Sequence, residues 1–249
     1  MVRAYQKEAQ SLRGGNSRSR VESSEEDPDP SSTDLVVNHI TMGVLAARYV
    51  PGQRLIEADL THALRVSRGP VREAFRRLDA LGILSRAMHR GACIRTLTRT
   101  EAVDLLVASE PLTCLMGRLA AEEFKSRKTV RDIGSFEAEL RPFCDLKQDL
   151  SHEPGRRQHF YDILAAMTGN SQLPSLFPTM RIHLLRLQTQ SYRDVADRRA
   201  NMDDFAAIAK AVLDGNGKTA EKACLVHNRR MRRAIENMPD EAFPRIDVA

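Results

Sequence analysis

Residues 51–84 read PGQRLIEADLTHALRVSRGPVREAFRRLDALGIL. Pro51-Gly52 is a turn signal. Ile56, Leu60 and Leu64 recur every four residues, which predicts a short helix from about Glu57 to Leu64. Beyond Arg65-Val66, Ser67 suits an N-cap, and Pro70 falls in the first turn of the next helix, where its missing N–H costs nothing. That helix carries Val71, Phe75 and Leu78 on one face. Arg68, Arg72 and Arg76, again spaced by four, form a cationic stripe on another, and Gly82 closes the helix.

Upstream, Thr33 or Asp34 caps a helix expected to turn Leu35, Val36, Ile40 and Val44 inward and to end near Arg48. Downstream, Ile83-Leu84-Ser85 and Ala92-Cys93-Ile94-Arg95 read as two short strands, joined by a hairpin carrying His89-Arg90-Gly91. Three helices followed by a two-stranded hairpin describe a winged helix-turn-helix over residues 33–97. Its third helix fits the major groove of DNA, where arginine donates two hydrogen bonds to guanine O6 and N7. Arg90, beside a flexible glycine, would reach the DNA backbone or the adjacent minor groove. Glu73 is expected to orient a neighbouring arginine or to cap structure, because a carboxylate facing phosphate would be repelled.

The charge distribution agrees with this reading. The chain has 249 residues and a net charge of +5; residues 34–97 hold ten arginines, no lysine and five acids, and the remainder is nearly balanced. A guanidinium donates in a planar fork that matches phosphate and guanine, where an ammonium is a point charge.

Residues 1–32, rich in Ser, Gly and charge with no hydrophobic period, read as a disordered tail. From residue 98 the pattern changes to apolar i, i+3/i+4 recurrence over 99–125, 131–147, 156–168, 173–193, 198–214 and 217–236, with breaks at Pro154-Gly155, Gly169-Asn170, Pro174 and Gly215-Asn216-Gly217. Residues 98–238 are therefore expected to form an all-α antiparallel bundle, with 239–249 a C-terminal tail. The fold class is mainly α.

Several function classes are excluded. No apolar run approaches a membrane span, and the N-terminal stretch lacks the apolar core of a secretory signal. Cys93, Cys114, Cys144 and Cys224 are scattered without a CxxC pair, as expected of free thiols in a reducing cytoplasm. Trp is absent and aromatics make up 5%, which disfavours sites built on stacking. No Ser/His/Asp set in recognisable context, Gly-rich phosphate loop or metal-ligand cluster is found, so neither catalytic residues nor a cofactor are expected.

Residues 51–94 resemble the DNA-binding module of GntR-family bacterial transcription regulators. The family pattern has a PG-x-x-L turn, then V-S-R-x-P-V-R-E-A-x-R-x-L-x-x-x-G, then R-G at the wing, and nearly every position is matched. Residues 98–238 are similar to the helical ligand-sensing domain of the FadR-like subgroup (the FCD type), through FYDILAAMTGN (160–170), AIAKAVLDGN (207–216) and the helix holding His227. The resemblance implies a homodimeric regulator, commonly a repressor, on a palindromic double-stranded operator. It puts Ser67, Arg68, Gly69, Pro70, Arg72 and Arg76 at the DNA, with His89, Arg90 and Gly91 in the wing.

Many FadR-like sensor domains hold a divalent metal with an Asp and a His four apart on one helix and two later His. Here Arg157 stands at the Asp position, Tyr161 at the first His and Phe205 at the next, leaving His227 alone; no metal is expected. His159 and His183 are the neighbouring alternatives for a displaced site. The family's usual Arg early in the first sensor helix is replaced by Ala108. A cationic, partly apolar pocket for a small organic acid or acyl group is expected from Tyr161, Arg181, His183, Arg186 and His227, with Gln188 and Tyr192 as further donors; Arg181 and Arg186 equally suit salt-bridged surface or dimer-interface positions. Two readings stay open: a sensor of such an effector, or a helical domain that only dimerises. A helical enzyme with a basic substrate face finds no support in the motifs.

Overall fold

The computed structural model describes residues 31–87, 91–126, 133–144 and 156–244. Residues 1–30 of the tail expected over 1–32, the wing tip at Met88, His89 and Arg90, and residues 245–249 lie outside the described residues, while Ser32, expected in the tail, already opens the first helix. Helix α1 spans Ser32–Leu45 and buries Val36, Val37, Ile40 and Val44. Leu35, expected inward, is exposed and Val37 takes its place. The run Leu35-Val36-Val37 has no polar residue to set the helix rotation, so packing sets it.

After the Pro51-Gly52 turn, strand β1 (Arg54–Leu55) precedes helix α2 (Glu57–Leu64) and helix α3 (Arg68–Ala80). Val71, Ala74, Phe75 and Leu78 of α3 are buried against α1, while Ile56, expected to continue the α2 face, stands outside that helix and is exposed. Gly82 (φ +69) ends α3 in a Schellman motif: its N–H bonds Asp79 O at 2.8 Å and Ile83 N–H bonds Leu78 O at 2.9 Å. Strands β2 (Leu84–Ala87) and β3 (Gly91–Ile94) follow. The sheet has three antiparallel strands in the order β1-β3-β2, one more than the hairpin expected, because Arg54 and Leu55 pair with Cys93 and Ala92.

Helix α4 (Arg99–Ser126) crosses the helical domain and packs along helix α10 (Gly217–Glu236). Gly117 allows their close approach: a Cβ there would stand 2.6 Å from Cys224 Sγ and 3.3 Å from the Ala220 carbonyl. Between them come α5 (Ile133–Leu140), a 3-10 turn at Arg141–Cys144, α6 (Arg156–Met167), α7 (Leu173–Leu176), α8 (Thr179–Thr189), a second 3-10 turn at Gln190–Tyr192, and α9 (Val195–Leu213). The helix expected over 173–193 is divided because Phe177, preceding Pro178, is held extended (φ −76, ψ 123). Helix α9 begins three residues earlier than expected, capped by the Asp194 carboxylate on Asp197 N–H at 2.7 Å.

Two apolar cores result. One fills the helical domain, centred on Leu106, Met116, Leu140, Phe160, Leu164 and Phe205. The other holds the winged module together and includes Leu184 and Leu187 of α8 beside Ile40, Val71, Leu78 and Ile94. Residues 239–244, part of the tail expected over 239–249, are packed: Ala242 and Phe243 are buried, and Arg99 donates to Ile235 O (2.7 Å), Glu236 O (3.1 Å), Met238 O (2.6 Å) and Asp240 Oδ1 (2.8 Å). The four cysteines are unpaired, and no described helix is long and apolar enough to cross a membrane.

Candidate functional site

The outer face of α3 is the first candidate. With Val71, Phe75 and Leu78 fixed in the core, the remaining turns carry Arg68, Arg72 and Arg76 to solvent, and the side chains of Arg72 and Arg76 are each 63% exposed. Arg72 Nε is 3.0 Å from Glu57 Oε2 on α2, and Arg76 pairs with Glu73, the role expected of that carboxylate. Both pairs lie in water, where such contacts contribute little, so a phosphate or base edge can replace the carboxylates at small cost. Arg77, by contrast, reaches Asp34 at 2.7 Å and ties α1 to α3.

At the start of α3, Ser67 has extended N-cap dihedrals (φ −76, ψ 170) but its hydroxyl makes no capping bond. Gly69 is exposed, and a Cβ on it would meet nothing within 4 Å. Pro70 completes a first turn whose free N–H groups and dipole favour an anion. The turn from α2 into α3 is made by Arg65 in the left-handed region (φ 54, ψ 39), a conformation the sequence did not signal. Gly91 opens β3, while His89 and Arg90 lie outside the described residues.

The second candidate is buried between α6, α8, α9 and α10. Tyr161, His183 and Arg186 line one small cavity together with Arg157, Ile182 and Met231. His227 adjoins it through Tyr161: Nε2 lies 2.9 Å from the phenol and Nδ1 lies 2.9 Å from Asp204 Oδ2. A carboxylate only accepts, so Nδ1–H donates to Asp204 and the phenol donates to Nε2. Burial pushes the Tyr161 phenol up and holds the imidazole of His227 neutral, its pKa below the usual value despite Asp204. Burial, with Arg186 nearby, also pushes His183 down to about 4; its neutral Nε2–H donates to the Val44 carbonyl of α1 at 3.1 Å.

Arg181 is not part of this constellation. It lines an open groove with Glu101, Asp104 and Leu176 and lies against Gly82. Gln188 and Tyr192 are also engaged elsewhere: Gln188 bonds Leu97 N, Leu97 O and Ala242 O, and Tyr192 donates to Glu241 O.

Residues 33–94 match the profile of the gntR family of bacterial regulatory proteins, and residues 104–230 match the FCD domain. The chain belongs to the GntR family, in its FCD-domain branch. It is 38% identical over 203 residues, 77% of this chain and 83% of the relative, to the "Probable D-xylose utilization operon transcriptional repressor" of Paenarthrobacter nicotinovorans. To the "Nta operon transcriptional regulator" of Aminobacter aminovorans it is 29% identical over 185 residues, 71% of this chain and 81% of the relative. Among solved structures, E. coli McbR/YncC shares the fold at TM-score 0.63 and 18% identity, over 83% of this chain and 97% of that one. This GntR-family chain is thus a transcriptional regulator.

The positions where FadR-like relatives carry metal ligands do converge in this regulator, but the side chains do not fit a metal. The guanidinium of Arg157 stacks on Phe205, with Cζ 5.5 Å from the ring centroid, and both ring nitrogens of His227 are engaged by Tyr161 and Asp204. His159 pairs with Glu139 at 3.1 Å and His183 is held by Val44, so neither rebuilds a site. Among the described residues no group of three His, Cys, Asp or Glu is placed to share an ion. The sequence reading missed Arg193, Asn201 and Asp204. Asp204, next to Phe205, was the legible one, since a buried His asks for an orienting acceptor.

Proposed function

We propose that this regulator acts in the cytoplasm as a homodimeric repressor on a palindromic operator, with its DNA affinity set by a small organic-acid-like effector. The observation that carries the reading is the row Arg68, Arg72 and Arg76 on the solvent face of α3, opposite a face fully committed to the core. In this reading Ser67, Gly69 and Pro70 meet the phosphate backbone, and Arg68, Arg72 and Arg76 meet bases and phosphates. His89, Arg90 and Gly91 supply the wing contact. Two copies present their α3 helices to half-sites about one helical turn, ~34 Å, apart.

Effector control is supported by α8. One side of it lines the buried basic cavity through His183 and Arg186, and Leu184 and Leu187 sit in the core of the DNA-binding module. An effector that favours one placement of α8 would shift the relation between the two α3 helices.

The test is fluorescence anisotropy on the DNA upstream of the regulator's own gene, against shuffled DNA across a salt series, with Arg68→Ala/Arg72→Ala as control. Tight binding that discriminates the two DNAs and collapses in the double variant is expected. Weak, equal binding abolished by salt would reduce the α3 face to an electrostatic surface. A thermal-shift screen of carboxylates, sugar acids and acyl-CoAs separates an effector sensor from a domain that only dimerises, which none of them would stabilise.

A further inference from the structure

The buried basic cluster holds more positive charge than the fold uses. Arg193, which links the second 3-10 turn to α9, is 9% exposed, and among the described residues no hydrogen bond reaches its Nε or Nη2. Arg186 Nε is likewise buried and unpartnered. Arg157, with its neighbour's amide turned to face it, is met by the neutral oxygen of Asn201 and by the ring of Phe205, neither of which cancels its charge. Burial first, then the fields of Arg193 and Arg186, push the Arg157 guanidinium down to about 9. The nearby acids do not neutralise the three: Asp204 is committed to His227 and Arg230, and the field of Asp197 reaches Arg193 without closing an ion pair. Burying one guanidinium without a counter-charge is unfavourable, and three within reach of one another compound it.

We propose that Arg157, Arg186 and Arg193 form a metal-independent anion site for a small molecule bearing a carboxylate or phosphate group, and that seating the anion displaces α8 against the DNA-binding core. The inference rests on the reading of the helical domain as an effector sensor and names its ligand chemistry. Guanidinium forks match carboxylate and phosphate oxygens two at a time, and they do so here without the divalent ion that the side chains at the family's ligand positions cannot hold. The body of the ligand meets Ile182 and Met231.

The cavity lined by Arg157 and Arg186, with Arg193 close enough for its field to reach them, is about 20 Å³, room for a single water-sized group. A carboxylate with any carbon body needs more, so a wall must yield. The wall built on α8 comprises Thr179, Ile182, His183 and Arg186. The same helix is anchored on its other side by Leu184 and Leu187 in the winged-module core and by His183 Nε2 on the Val44 carbonyl. Displacement of α8 therefore bears directly on α1 and, through the shared core, on α3.

The test uses the full chain treated with EDTA. Thermal unfolding is followed with inorganic phosphate, succinate and glycerol 3-phosphate, each against chloride at equal ionic strength, for wild type, Arg186→Gln, Arg193→Gln and the exposed control Arg229→Gln. At least one anion is expected to raise Tm by several degrees in wild type and Arg229→Gln and to leave both buried-arginine variants unmoved. Those two variants are expected to melt no lower than wild type in chloride, because each discharges an uncompensated buried cation. No shift beyond chloride with any of the three anions would overturn the site. So would an equal shift in all four proteins, or variants melting far below wild type in chloride, which would mark the arginines as structural. The stabilising anion is then titrated into the anisotropy assay, where a tenfold or greater change in operator affinity is expected. Stabilisation without any change in DNA binding would overturn the coupling and the effector reading while leaving the site. Operator binding that responds to an anion equally in wild type, Arg186→Gln and Arg193→Gln would overturn the site and leave the effector reading.

Discussion

Replacing Gly69 by Ala separates what α3 does for the fold from what it does for DNA. Glycine in a helix costs roughly 0.5–1 kcal/mol relative to alanine through backbone entropy. Gly69 is the second residue of α3 and its φ is not positive, so alanine adopts the same backbone without strain. A methyl at that point would meet nothing within 4 Å, so no steric term opposes the gain. Because the first turn lacks part of its helical hydrogen bonding, the lower end applies: about 0.5 kcal/mol of added stability, or roughly 1–2 °C in Tm for a chain of this size. In the proposed operator complex the same methyl would stand where the helix start meets the phosphate backbone. It would hold the two apart and weaken the charge-assisted bonds from the first-turn N–H groups, so a loss of about 1–2 kcal/mol, some five- to thirty-fold in affinity, is expected. Thermal unfolding and anisotropy on the same preparation read both quantities. Higher Tm with weaker DNA binding is the expected pair. Unchanged operator affinity would refute the close approach of DNA to Gly69, and a lowered Tm would refute the free space around it.

Arg72→Ala is expected to move stability by less than about 0.5 kcal/mol, since its pair with Glu57 is exposed, yet to cost about 1–3 kcal/mol on the specific site by titration against operator and shuffled DNA. Arg99→Ala removes four hydrogen bonds that hold the end of α10 and the following segment, together with the stacking of its guanidinium 4.7 Å from the Phe243 ring centroid; chemical denaturation should show a loss of about 2–4 kcal/mol. Asp162→Asn tests a buried acid. Burial raises the Asp162 carboxyl to about 6 even though Gln158 donates to it, so the native state holds its proton more tightly than the unfolded chain. Stability is then undiminished below the unfolded pKa near 4 and falls as pH rises toward 6. Asn, which can still accept from Gln158, should stabilise the protein by about 1–2 kcal/mol at pH 7.5 and by nothing at pH 3.5, as read by urea unfolding at the two pH values.

What the sequence disclosed is the part of the fold written in local periodicity. Val71, Phe75 and Leu78 against Arg68, Arg72 and Arg76 define both faces of α3 without reference to any distant residue, and Gly82 marks its end. What it withheld depends on contacts distant in sequence. Arg54 and Leu55 are too short a pair to read as a strand until β3, nearly forty residues later, lies beside them. The sequence groups Arg181 with His183 and Arg186 because they share a helix. At about 100° per residue, however, positions 181 and 186 lie roughly 140° apart while 183 and 186 lie about 60° apart. Only the latter two share the cavity. Arg157 was legible as a residue unsuited to a metal, but its burial requires Asn201 and Phe205 from α9, and Arg193 carries no local pattern at all.

The sequence break near residue 97 is not an energetic boundary. Leu184 and Leu187, from the middle of the helical domain, complete the core of the winged module, and burying two leucines is worth about 3–6 kcal/mol. That is a large share of the 5–15 kcal/mol by which a typical protein is stable. Gln188, one turn further along α8, holds Leu97 by both its N–H and its carbonyl and reaches Ala242 as well, so the linker, α8 and the end of the chain meet at one side chain. The native core of the DNA-binding module therefore includes part of α8. The helix that completes the core beneath α3 also walls the cavity lined by Arg157 and Arg186, and it is through this shared element that the proposed anion site would act on α3.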